Sequence, residues 1–60
     1  MKLPENENCF EVDVSLDFLE DETPVIVFCS REFEFGFDKQ QAEQAVVALQ
    51  HFIATGELPE

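Results

Sequence analysis

Residues 10–18 read FEVDVSLDF, from Phe10 to Phe18, with an apolar side chain at every even position and an acid or serine at every odd one. Successive side chains of an extended strand point to opposite faces, so a strict period of two marks a half-buried β-strand. The pattern predicts a strand from about Cys9 to Leu19. Phe10, Val12, Val14, Leu16 and Phe18 are expected to face a core, and Glu11, Asp13, Ser15 and Asp17 to face outward. That places three carboxylates on the open side of one strand.

The alternation stops at EDETP, residues 20–24. Clustered acids resist pairing and Pro24 favours extended geometry at Thr23, which together predict a turn. VIVFC, Val25 to Cys29, is rich in β-branched residues and forms the next strand. EFEFGF, Glu32 to Phe37, alternates again, with Phe33, Phe35 and Phe37 inward and Glu32, Glu34 and Gly36 outward. Pairing Phe28 with Phe33 across a four-residue loop puts Ile26 and Phe28 on the Phe face. Val25, Val27 and Cys29 then form an apolar strip in the acidic face.

A helix follows. Asp38 is placed to cap it, and Gln41 three residues later completes a capping box. Ala42, Ala45, Val46, Leu49, Phe52 and Ile53 fall on one face at a period of 3.6. Gly56 suits the left-handed position after the last turn, and Pro59 prevents resumption. Lys39 to Thr55 spans about 25 Å, comparable with the ~30 Å of the long strand. The expected fold is α+β: a small two-layer β-β-β-α domain, a three-stranded antiparallel sheet in meander order with the C-terminal helix packed on one face. Residues 1–8, polar and containing Pro4, are expected to be a flexible N-terminal arm, and residues 9–60 one domain.

Sixty residues with seven Phe and 45% hydrophobic content are compatible with one thin core; such a chain buries only about 60% of its unfolded surface. Charge is the outlying property. Fourteen acids against three bases give a net charge of −11, which disfavours nucleic acid and anionic lipid and favours basic protein surfaces. Lys2, Arg31 and Lys39 are scattered and form no basic patch. Cys9 and Cys29 make no disulfide-rich scaffold, and neither an apolar leader nor a membrane span is visible. The expectation is a cytoplasmic protein with reduced thiols.

The residue types needed for chemistry are sparse. His51 stands alone, and a helical wheel turns it toward water. The two cysteines lack partners for a closed zinc site. The acidic run DVSLDFLEDE lacks the glycine that a calcium loop uses for its sharp bend. No glycine-rich phosphate loop is present, and no nucleophile stands beside a base. No catalytic residue, metal ligand, cofactor or small-molecule substrate is assigned.

Protein binding is what the pattern leaves. The expected role is a non-enzymatic small acidic module, an adaptor or inhibitor that docks a basic surface of a larger protein, of a kind suited to a phage or mobile element. Its candidate contact residues are Glu11, Asp13, Asp17, Glu20, Asp21, Glu22, Val25, Val27, Glu32 and Glu34, an apolar centre with a charged rim. One alternative is a structural homo-oligomer or assembly subunit, formed through the Val25/Val27 strip, a sheet edge, or the uncharged helix back around Val47. The other is a DNA mimic. Duplex DNA carries one charge per about 1.7 Å, so mimicry needs carboxylates from two or three adjacent strands.

Overall fold

The computed structural model of the chain describes residues 1–59. Four strands and one helix follow in order: β1 (Lys2–Leu3), β2 (Val12–Phe18), β3 (Pro24–Cys29), β4 (Glu34–Phe37) and α1 (Lys39–Thr55). The strands form one antiparallel sheet in the order β1-β2-β3-β4.

The sheet therefore has four strands, not three. Part of the expected N-terminal arm is an edge strand, with Lys2 opposite Asp13 and Leu3 opposite Val12. The Val14 N–H donates to the Met1 carbonyl at 2.7 Å, which extends the ladder one residue further. Two residues are too short to show a period, and Pro4 ends the strand because it has no N–H to offer the ladder.

Strand β2 is shorter than the alternation suggested. Phe10 precedes it, half-exposed, with the Arg31 guanidinium carbon 4.9 Å from its ring centroid. Phe10 is thus a partner for a cation and not a wall of the core. The β3–β4 register also differs, because Phe28 lies opposite Phe35 and Cys29 opposite Glu34. Residues 30–33 form the loop, closed by the Ser30 N–H on the Phe33 carbonyl at 2.8 Å. A shift of two residues preserves parity, so each side chain within the strands keeps its expected face. Glu32 leaves the strand for the loop.

On one face Val14, Leu16, Ile26, Phe28, Phe35 and Phe37 come together through the strand register. Phe33, Phe35 and Phe37 form a run of rings with centroid spacings of 5.3 and 5.2 Å, and Phe28 stacks on Phe35 at 5.2 Å. Offset and tilted contacts at this spacing suit the charge distribution of aromatic rings.

The helix has the expected bounds and both caps. Asp38 Oδ1 accepts the Gln41 N–H at 2.9 Å, and Gly56, at φ 77°, donates its N–H to the Phe52 carbonyl at 2.7 Å. What differs is its packing. Its main neighbour is β4, the strand it follows, and no residue of the helix is buried. Leu49 is 57% exposed and Ile53 81%, while His51, expected in water, is half-buried. Among the described residues Val14 is the only buried apolar side chain. The second layer of the expected two-layer core is not closed within one chain.

Candidate functional site: the acidic sheet face

The face opposite the Phe rings is fixed by register. One cross-strand row runs Lys2, Asp13, Cys29, Glu34; the next runs Ser15, Val27, Gly36; Asp17 lies opposite Val25. Strand β3 thus contributes two valines and a thiol, and the carboxylates come from β2 and β4. Val25 and Val27 are half-buried. Gly36 makes room for them: a Cβ built there would lie 2.9 Å from Val25 Cγ1 and 3.2 Å from the Ile26 carbonyl oxygen.

The acids are split between the ends of this face. Glu11, Asp13 and Glu34 stand at one end with Lys2, whose Nζ is 3.6 Å from Glu11 Oε2. That pair is exposed, so it contributes little to stability. Asp17 stands at the other end, about 14 Å along the strand from Asp13. Beyond it lies the turn that carries Glu20, Asp21 and Glu22. Between the two ends the row of Ser15, Val27 and Gly36 has no charge. The acidic face expected around an apolar strip takes the form of two acidic ends with an uncharged row between them.

The turn has a defined geometry. The Leu19 N–H donates to the Thr23 carbonyl at 3.0 Å, and the Glu22 N–H to the Leu19 carbonyl at 2.9 Å. Glu22 adopts φ 67°, in the left-handed region. Asp21 Oδ1 accepts the Thr23 N–H at 3.1 Å. Hydrogen bonds from the Thr23 side chain and backbone hold the Asp21 carboxyl below its ordinary range, because they favour the charged form. The three acids are therefore displayed by an ordered turn.

A feature not legible in the alternation lies at the Asp13 end. An open hollow of about 430 Å³ separates the 5–10 segment from the 30–33 loop, and its lining includes Glu5, Glu7, Phe10, Glu32 and Phe33. Asn6 Oδ1 shapes it by accepting the Asn8 and Cys9 N–H groups, each at 2.9 Å. An asparagine bonding its own backbone two residues on is a turn signal, and Asn6 was the residue that carried it. Glu32 joins the acids here from the loop, its N–H held by Ser30 Oγ at 3.2 Å.

Cys9 and Cys29 are free and exposed. Among the described residues no three His, Cys, Asp or Glu side chains converge as metal ligands. No helix among them is long and apolar enough to cross a membrane. No protein-family model matches this chain, and neither curated proteins nor solved structures yield a match.

Proposed function

We propose that the protein is a non-enzymatic binding module whose acidic sheet face docks a basic surface on a larger protein. One observation carries this reading: the half-buried Val25/Val27 strip sits between two acidic ends on a sheet face that the helix does not cover. An apolar centre supplies desolvated contact, and carboxylates around it select a cationic partner and speed encounter. Cytoplasmic residence and a phage or mobile-element setting fit such a module and belong to the same proposal. DNA mimicry is the weaker reading. Strand β3 gives this face no carboxylate, and two acidic ends about 14 Å apart fall well short of the charge density of a duplex.

The test is affinity capture of basic partners at about 50 mM and about 300 mM salt, across which screening of exposed charges deepens. Capture that weakens steeply with salt, and is lost in Asp13→Asn/Asp17→Asn, is the expected result. Capture that ignores both salt and these substitutions would overturn the acidic-docking reading.

A further inference from the structure

We infer that the Phe face of the sheet and the apolar face of the helix are covered by a second copy of this chain, each helix lying across its partner's sheet. The inference stands on the other side of the sheet from the acidic face and does not depend on it.

The first ground is area. The chain exposes 5345 Å², whereas a compact protein of 6.9 kDa exposes roughly 4,000 Å². Its radius of gyration is 13.1 Å, against about 10.4 Å for a compact domain of this length. The surplus of about 1,300 Å² per chain lies in the range that stable homodimers bury on each side. Leu16, at 66% exposed, and the rings of Phe33 and Phe35 belong to this uncovered surface.

The second ground is connection. Only Asp38 separates the last residue of β4 from the first of α1. One residue leaves no chain with which to lift the helix over its own sheet, where connections of this kind commonly take 2–6 residues. Short hinges of this sort favour exchange of an element between copies.

The third ground is self-complementarity. The chain lacks a cover for a sheet face and a cover for an amphipathic helix, and it carries one of each. At 17 residues the helix is about 25 Å long, and the seven residues of β2 reach about 24 Å. Charge does not oppose the contact. The helix carries one lysine, Lys39, and one glutamate, Glu43, and the sheet face it would meet carries none. The carboxylates of both copies stay on the outward faces. A two-fold pair of this kind closes on itself.

Sedimentation equilibrium of the full chain tests this across about 1 to 100 µM, a span set to bracket a stable dimer. The expected mass is twice that of the chain, with a thermal midpoint that rises with concentration. A monomer at the top of that range, with a midpoint independent of concentration, overturns the inference. Leu49→Glu/Ile53→Glu changes exposed helix residues and is expected to weaken the dimer about 100-fold or more; Leu16→Lys in the sheet is expected to do likewise. Mixing these two variants separates a lost interface from a lost fold. The heterodimer keeps one unaltered helix on one unaltered sheet and opposes Glu to Lys at the other, so mixing restores dimer. Failure to form the heterodimer, or a dimer that survives the helix substitutions, overturns the exchanged-helix arrangement. Asp13→Asn/Asp17→Asn is expected to leave the mass unchanged even where it abolishes capture of a basic partner, which keeps the two proposals separable.

Discussion

Two residues pay opposite conformational roles in the hairpins. Glu22 holds φ 67°, where a side chain crowds its own carbonyl at a cost of about 1–2 kcal/mol. Glycine removes that cost but loses more entropy on folding, so Glu22→Gly is expected to raise stability by about 0.5–1 kcal/mol, read from a denaturant midpoint. Gly36 is the converse case. A methyl there meets Val25 Cγ1 and the Ile26 carbonyl, and overpacking predicts that Gly36→Ala lowers stability by about 1–3 kcal/mol in the same measurement. Asp21 supplies a pH dependence whose sign is fixed. Its carboxyl is held below the ordinary range by Thr23, so its contribution is present above the unfolded value and is lost as pH falls through the lower folded one. The Thr23 amide resonance is expected to titrate with a midpoint below that of an unstructured aspartate. A midpoint at or above it removes Asp21 as the fastener of the turn.

The elements were legible to different degrees. Strand faces were readable because side-chain parity is a local property, and the two-residue shift that brought Phe28 opposite Phe35 left parity intact. The helix ends were readable because Asp38 and Gly56 each satisfy backbone groups of their own turn. Strand β1 was not readable, since two residues carry no period and their pairing depends on β2 alone. The candidate site is legible as a set of residues on one face, except that the place of Glu32 depends on loop length, which no local period encodes. Most of a helix's stability in a protein comes from packing, and no residue of α1 is buried, so its cap matters. Asp38→Ala is expected to cost about 1 kcal/mol and to lower helical ellipticity before the sheet melts.

Scaled to the whole molecule, charge and incompleteness act together. A net charge of −11 on sixty residues repels itself, and salt screens that repulsion. The thermal midpoint is therefore expected to rise from about 20 mM to about 300 mM salt, a range over which the screening length shortens severalfold. The proposed docking to a basic partner is expected to weaken over that range, the opposite sign. A midpoint that falls with added salt would show that local ion pairs, such as Lys2 with Glu11, outweigh the global repulsion. The sequence by itself determined the faces of the strands, the caps of the helix and, within the strands, the separation of acids from Phe rings, because each follows from nearest-neighbour geometry along the chain. Only the tertiary structure decided that Val14 alone among the described residues is buried and that the helix leans on β4 without crossing the sheet. Those outcomes depend on the length of one connection and the placement of distant elements, which no local period encodes.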